Sequence, residues 1–244
     1  MQVLVPEIIG TMLLVLLGDG VVANVLLGKT KGNNSGWIVI TTAWAFAVFV
    51  GAYAAVTMGS GAHLNPAVTL GILLNGGITF NEAIWYWIGE MVGGFLGAVL
   101  VWLHYHPHWA ETADPGLKLA VFSTAPAVRS TAWNLVSEII GTFVLMFGIF
   151  AITGATLGNG ADAVAINMGA LGILPVALLV WVIGLGLGGT TGYAINPARD
   201  LSPRIAHAIL PIPGKGSSDW GYSWIPVVGP LVGAAIAAIL WGML

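Results

Sequence analysis

The tripeptide Asn-Pro-Ala occurs twice in this chain, as Asn65-Pro66-Ala67 and as Asn196-Pro197-Ala198. Each copy predicts the start of a helix, with Asn at the N-cap and Pro at the first helical position, where a backbone N–H is not needed. A glycine-rich run precedes both copies. A single copy would match many helix starts by chance, whereas two copies in the same setting indicate a duplicated structure.

The duplication extends beyond the tripeptide. The sequence Glu-Ile-Ile-Gly-Thr stands at Glu7–Thr11 and recurs at Glu138–Thr142, and this repeat has the same offset of 131 residues as the Asn-Pro-Ala repeat. Two separate identities at one offset indicate homologous halves. We place the halves at about residues 1–104 and 131–244, joined by a loop over residues 105–130, in one domain that covers residues 1–244.

The composition indicates an integral membrane protein. The chain is 57% hydrophobic and only 7% charged, with a mean hydropathy of +0.92, whereas soluble domains carry about 25% charged residues. A net charge of −3 with seven basic residues argues against a nucleic-acid partner. The chain has no cysteine, which excludes a disulfide or a thiol nucleophile.

A helix needs about 20 apolar residues to cross a bilayer. Three stretches in each half are long enough, at about 3–27, 37–57, 82–104, 132–153, 168–187 and 222–243. The two Asn-Pro-Ala copies lie in shorter apolar segments, at about 65–75 and 196–208, which are too short to cross. Because three is an odd number, the second half must enter the membrane from the opposite side, so that the two short helices point at each other near the midplane.

This arrangement predicts a pore. Non-helical backbone at membrane depth is tolerated only where it is buried or lines a water-filled cavity, and residues 59–64 and 188–195 are such backbone. The half-helix N-termini carry roughly half a positive charge each, which repels cations. The loop carbonyls and the Asn amides, whose NH2 groups we expect to point freely into the pore, suit an uncharged polar solute that exchanges its water for them.

With these motifs the chain resembles the aquaporin superfamily, and within it the glycerol-facilitator branch, over nearly its whole length. The resemblance rests on both Asn-Pro-Ala copies, on the Glu in the first helix of each half, and on the run Asn196–Asp200, in which Asp200 is typical of the glycerol branch. It implies an all-α membrane protein with six transmembrane helices plus two half-helices in an inverted repeat, assembled as a homotetramer with one pore per subunit.

The same resemblance implies a narrow selectivity filter made of Trp44, Gly184, Tyr193 and Arg199. Arg199 would donate to solute hydroxyls, while Trp44 and Tyr193 would face the carbon backbone of the solute. Gly184 stands where water-only pores usually carry His, and its slot would be filled by the ring of Tyr193. Phe is more usual at position 193, and Trp44 lies 21 residues before Asn65, one more than the family spacing, which leaves open an altered first carbonyl ladder.

Three further residues near the predicted pore have two interpretations each. Glu7 and Glu138 either accept hydrogen bonds from N–H groups of the pore loops or bind a coupling ion. We favour the first role, because buried N–H groups must find acceptors. His63 is either a structural donor beside the cap or a proton relay, and we favour the structural role on the same ground.

His104, His106 and His108 alternate with aromatic residues and Pro. They belong either to a membrane-interface belt or to a metal or pH-sensing site. We favour the belt, because no second ligand cluster accompanies them, and we predict no metal and no cofactor.

The sequence therefore favours a passive channel for glycerol and other small uncharged polar solutes, with some water. Dihydroxyacetone, urea and undissociated lactic acid fall within its predicted range. A secondary transporter is the alternative, since transporters also combine inverted repeats with broken helices. An enzyme is not predicted, because no convincing nucleophile–base pair lies at membrane depth.

The predicted orientation in the cell membrane rests on two conflicting signals. Basic residues lie only in the loops after the first, third and fifth spans, which by the positive-inside rule places the termini outside. The resemblance implies cytoplasmic termini, with Arg199 toward the outside. We follow the resemblance, because basic residues at a pore mouth and in a half-helix have roles other than topology.

Overall fold

The computed structural model describes residues 1–152, 154, 156–157, 164–166 and 168–244. These residues contain helices α1 to α9, which are Leu4–Leu26, Trp37–Thr57, Pro66–Leu74, Phe80–His104, Pro115–Phe122, Thr131–Ala151, Leu174–Leu187, Pro197–Ile209 and Ile225–Trp241. An antiparallel pair of two-residue strands, β1 (Thr156–Leu157) and β2 (Val164–Ala165), follows α6.

The six predicted spans correspond to α1, α2, α4, α6, α7 and α9. Five helical segments in the described residues have the length and apolar character to cross a membrane, and the fifth joins the 3₁₀ turn Gly169–Ile173 to α7. Helix α9 is apolar but shorter, at 17 residues. The predicted fourth span ends at residue 153, which lies outside the described residues, and α6 ends at Ala151.

Helices α3 and α8 are the two half-helices, and both begin as the sequence predicts. The side-chain oxygen of Asn65 accepts from the N–H of Ala67 at 2.9 Å, and that of Asn196 accepts from Ala198 at 3.0 Å. Proline occupies the first helical position in both. The fold is therefore the expected one of six transmembrane helices plus two half-helices in an inverted repeat.

The half-helices interlock the two halves. Helix α1 packs on α2 and α4, and α6 packs in the same way on α7 and α9. By contrast, α3 packs mainly on α9 of the other half, and α8 packs mainly on α4. Each half-helix is thus held by the last span of the opposite half, which brings both N-termini to the centre of the molecule.

Matching glycines let the spans of each half approach closely. A Cβ added at Gly93 would lie 2.4 Å from the carbonyl oxygen of Ile8, and one added at Gly233 would lie 2.3 Å from that of Ile139. Ile139 follows Ile8 by the repeat offset of 131 residues, so the same contact occurs twice. Small residues at such crossings allow helix backbones to pack against each other in lipid.

The connection between the halves is more structured than the predicted loop. Residues 105–130 contain the 3₁₀ turn His106–His108 and helix α5. Asp114 caps α5 by accepting from the N–H of Gly116 at 2.7 Å, and Pro115 follows at the first helical position. Because α5 packs on both α1 and α8, this segment supports the second half-helix from outside.

The glycine contacts predict matched losses of stability. Gly93→Ala and Gly233→Ala should each lower the free energy of unfolding by about 1–3 kcal/mol, because the new methyl group meets backbone atoms that cannot move aside. Gly20→Ala is the control, since an added Cβ there meets nothing within 4 Å. Thermal unfolding in detergent should show a lower Tm for the first two variants only. Three equal Tm values would contradict the close packing.

Candidate functional site

A cavity of about 230 Å³ lies between the two halves and reaches both Asn caps. Its polar wall consists of the two loops that precede the half-helices, together with Asn65 and Asn196. Its apolar wall comes from several spans and from α3, with side chains that include Val48, Val68, Leu145 and Val180. The wall is therefore polar along one side and apolar along the rest, as a cavity for small amphipathic molecules would be.

The two Asn caps are tied to each other's loops. Asn65 donates from Nδ2 to the carbonyl oxygen of Ile195 at 2.8 Å, and Asn196 donates to the carbonyl oxygen of Leu64 at 2.7 Å. The expectation that each amide points freely into the pore is therefore wrong for one of its two N–H groups. That N–H binds the opposite loop, while the residue itself still lines the cavity.

Glu7 supports the first pore loop from α1. Its carboxylate accepts from the N–H of His63 at 3.2 Å and of Leu64 at 2.8 Å, and from the hydroxyl of Ser60. The side chain is fully buried. The structure therefore places this carboxylate against the loop N–H groups, as the structural interpretation of Glu7 expects.

Glu138 supports the second pore loop in the same way. It accepts from the N–H of Ala194 at 3.0 Å and of Ile195 at 2.9 Å, and from the hydroxyl of Thr191 at 2.7 Å. With its N–H groups directed at Glu138, this loop keeps its carbonyl oxygens for other partners. One of them, on Ile195, receives the amide of Asn65.

Both loops share an unusual backbone. Ala62 and Leu64 each have φ of 52°, while Tyr193 and Ile195 have φ of 40° and 44°. Residues other than glycine rarely adopt these left-handed values, which need support from their surroundings. In both loops the residues one and three positions before the cap have positive φ. The one-residue difference in spacing between Trp44 and Asn65 therefore leaves the last carbonyl groups of the first loop unchanged.

The predicted filter residues lie together, but not all of them face the cavity. Trp44, Tyr193 and Arg199 line it, and the guanidinium carbon of Arg199 lies 4.0 Å from the ring centroid of Trp44. Gly184 lies behind Tyr193, where an added Cβ would be 2.8 Å from the ring. Trp37, which the sequence analysis missed, fixes this corner by donating to the carbonyl oxygen of Gly184 at 3.1 Å.

Arg199 has a partner that the sequence analysis missed. Its Nη1 atom lies 3.4 Å from Oδ1 of Asp19, which is fully buried in α1. A buried acid inside a membrane span is itself a signal of function, because burying a charge in the membrane is costly.

His63 lines the cavity and is linked through Thr69 to another buried acid, Glu90. Its Nδ1 lies 2.9 Å from the hydroxyl of Thr69, which donates to Glu90 at 2.6 Å. The imidazole ring stacks on Tyr86 with the centroids 3.9 Å apart. These contacts fix His63 between the pore loop and α4, and Glu90 is a further residue that the sequence analysis missed.

Asp200 lies behind the filter and joins α8 to the loop after α5. It accepts from Arg204 at 2.8 and 3.0 Å, and from both the N–H and the hydroxyl of Thr124 at 2.7 Å. The buried Arg204 also donates to the carbonyl oxygen of Ser218 at 2.8 Å. Asp200 therefore holds the second half-helix in place and does not line the cavity.

The three histidines at and after the end of α4 lie outside this site. His108 places Nδ1 2.9 Å from the carbonyl oxygen of Gly28, while His104 and His106 are exposed and contact aromatic neighbours. Within the described residues, no group of three His, Cys, Asp or Glu side chains could hold a metal ion.

Comparison with known proteins agrees with this architecture. The chain is 54% identical over 244 residues to a probable glycerol uptake facilitator protein of Thermotoga maritima, covering 100% of both chains. It is 53% identical to glycerol uptake facilitator protein 3 of Lactiplantibacillus plantarum, covering 99% of this chain and 96% of that protein. The X-ray structure of the aquaglyceroporin from Plasmodium falciparum superimposes with a TM-score of 0.83 at 27% identity, covering 99% and 95% of the two chains.

The family match covers almost the whole sequence. The family described as Major intrinsic protein matches residues 1–241. With the fold, the two capped half-helices and the relatives in agreement, the chain is an integral membrane protein that belongs to the Major intrinsic protein family.

Proposed function

We propose that this protein is a passive channel that conducts glycerol and other small uncharged polar solutes, with some water. The observation that carries the proposal is the pair of cross-bonded Asn caps at the wall of an amphipathic cavity between the halves. The relatives named as glycerol uptake facilitators support glycerol as the main solute.

The cavity offers each part of such a solute a suitable partner. Loop carbonyl oxygens accept from hydroxyl groups, while the remaining N–H of each Asn amide and the guanidinium of Arg199 donate to them. The carbon backbone faces Trp44, Tyr193 and the apolar spans. Ions gain too little from the loop carbonyl oxygens and the Asn amides to replace their hydration shell, and the two helix N-termini oppose cations in particular.

The occupied carboxylates favour a channel over a coupled transporter. Both carboxylate oxygens of Glu7 and of Glu138 accept from N–H or hydroxyl groups of the pore loops, and neither residue lines the cavity. Among the described lining residues, Arg199 is the one permanently charged group. A coupling cation would therefore find no carboxylate among the described residues that line the cavity.

The finer points of the proposal concern solutes and assembly. Dihydroxyacetone, urea and undissociated lactic acid combine small size with polar groups that the lining can bind, so they belong to the proposed range. We also propose a homotetramer with one pore per subunit, which the mass of the detergent-solubilised protein checks. Exposed apolar side chains on the outer helix faces, such as Phe46 and Ile38, support packing against lipid or neighbouring subunits.

The structure reduces the weight of the positive-inside count, because four of the seven basic residues are bound within the fold. Arg199 and Arg204 bind buried acids, and Lys215 donates to three carbonyl oxygens at the end of α8, including that of Leu210 at 2.7 Å. Lys118 donates to the carbonyl oxygen of Pro213. Because these four cations are committed inside the fold, they say little about topology, and we propose cytoplasmic termini.

Glycerol flux into proteoliposomes tests the proposed function. Stopped-flow light scattering should show glycerol entry that is proportional to its gradient and unchanged by an imposed proton or sodium gradient. Empty liposomes are the control. Saturating uptake that depends on an ion gradient would instead establish a transporter.

Exchange of the filter wall should change the preference between solutes. Gly184→His combined with Tyr193→Ala should lower the glycerol-to-water permeability ratio by about tenfold or more, because the imidazole narrows the wall where the Tyr ring stood. Tyr193→Ala alone is the control and should not lower glycerol flux. Undiminished glycerol flux in the double variant would show that Gly184 does not back the filter.

A reporter fused after Leu244 tests the orientation. With cytoplasmic termini, a reporter active only in the cytosol should be active, and one active only outside should be silent. The opposite pattern would restore the topology that the basic residues indicate.

A further inference from the structure

Helix α1 carries two buried acids with different surroundings. Glu7 is held by the first pore loop, whereas Asp19 forms an ion pair with Arg199 on α8. Asp19 Oδ1 lies 3.4 Å from Arg199, and its Oδ2 has no hydrogen-bond partner within the described residues. A carboxylate buried at this depth without further partners needs a reason for its presence.

Asp19 belongs to a compact cluster at the cavity wall. The neighbouring Gly18 lets α1 lie against Trp44, since a Cβ at that position would be 2.3 Å from the indole ring. Arg199 lies over the same ring, with its guanidinium carbon 4.0 Å from the centroid. Trp44 and Asp19 therefore contact the guanidinium together.

The pairing of buried charges assigns Asp19 to Arg199. Asp200 is the other buried acid beside Arg199, but its two oxygens are occupied by Arg204 and Thr124. In the described part of the chain, the guanidinium of Arg199 makes its one side-chain hydrogen bond to Asp19. Because an unbalanced buried charge is strongly unfavourable, the two residues compensate each other.

We propose that Asp19 is a positioning residue that sets the charge selectivity of the filter by neutralising Arg199 and holding its guanidinium against Trp44. This inference rests on the proposed function as a channel for neutral solutes. The half-helix N-termini make the middle of the passage electropositive, which rejects cations but attracts anions. An unbalanced Arg199 would add a full positive charge and open a path for small anions, and the Asp19 carboxylate removes that attraction.

Three variants separate charge from packing. Asp19→Asn keeps the side-chain size but leaves Arg199 unbalanced, Arg199→Gln leaves Asp19 unbalanced, and Asp19→Asn with Arg199→Gln restores a neutral filter. Glu111→Gln is the matched control, because it removes an acid from the surface pair with Lys29, away from the cavity. Formate is the anionic probe, and its permeability is measured from the formate current at a fixed voltage in planar bilayers at alkaline pH. Glycerol uptake is measured on the same preparations.

The expected result is a change in the formate-to-glycerol permeability ratio. Asp19→Asn should raise it by about tenfold, since a unit charge at contact distance strongly favours an anion in a partly dehydrated site. Arg199→Gln should lower this permeability ratio and admit sodium. The double variant should return the ratio to within about twofold of the original. Glu111→Gln should leave the ratio unchanged.

Several results would overturn the role of Asp19. If Asp19→Asn leaves both the formate-to-glycerol permeability ratio and glycerol uptake unchanged, Asp19 does not set the charge selectivity. The proposed function would then still stand. A parallel loss of formate and glycerol flux that the double variant does not reverse would show a packing role only. If Asp19→Asn does not fold, unchanged sodium and formate permeabilities in Arg199→Gln would overturn the proposal equally. Absent glycerol flux through the unmodified protein would instead refute the proposed function.

Discussion

The structure depends on two reciprocal hydrogen bonds between the Asn caps and the opposite loops. Two helix N-termini carry like partial charges and would not meet without a compensating attraction. Asn65 and Asn196 provide it, because each uses its oxygen for its own helix and one N–H for the carbonyl oxygen of the other loop. A side chain with only an acceptor or only a donor could not make both contacts.

The caps in turn depend on the loops that precede them. Each loop places residues other than glycine at positive φ, a conformation that persists only with support from its surroundings. Glu7 and Glu138 give that support by binding the N–H groups, which frees the carbonyl oxygens for the caps and for solutes. One repeated acid, one repeated loop and one repeated cap therefore form a single unit that the molecule uses twice.

Charge balance explains how this unit serves neutral molecules. The meeting helix N-termini disfavour cations, yet a purely positive passage would favour anions. In the role proposed for Asp19, its pairing with Arg199 balances the charge at the filter, beside the buried pair of Asp200 with Arg204. Passage is then decided by hydrogen-bonding capacity and shape, which a small polyol satisfies better than an ion of either sign.

The sequence predicted those parts of the fold that local pattern determines. Apolar length located the spans to within a few residues, and Asn followed by Pro located both half-helices. Helix α5 begins with the analogous pair Asp114 and Pro115. Apolar length does not predict α5, because a helix of 8 residues is too short to give that signal.

The sequence predicted the role of a site residue only where it also indicated which groups that residue contacts. The prediction that the amides of Asn65 and Asn196 point freely into the pore was wrong in part. A sequence shows which side chains can donate, but not where the opposite loop places its carbonyl oxygens. Asp19 and Glu90 were missed because their partners, on α8 and α3, are distant in the chain. A buried acid within a membrane-spanning helix is itself a signal of function, even where it is not part of a repeated motif.

Thiol accessibility tests most directly whether the capped half-helices border a wet passage. The chain has no cysteine, so a single introduced thiol reports without background. Val68 lies on α3 and lines the cavity, whereas Val25 is equally buried but lies outside it. A small water-soluble thiol reagent should modify Val68→Cys and block glycerol flux, and should leave Val25→Cys unmodified. Equal protection of both thiols would show a dry interior and contradict the account.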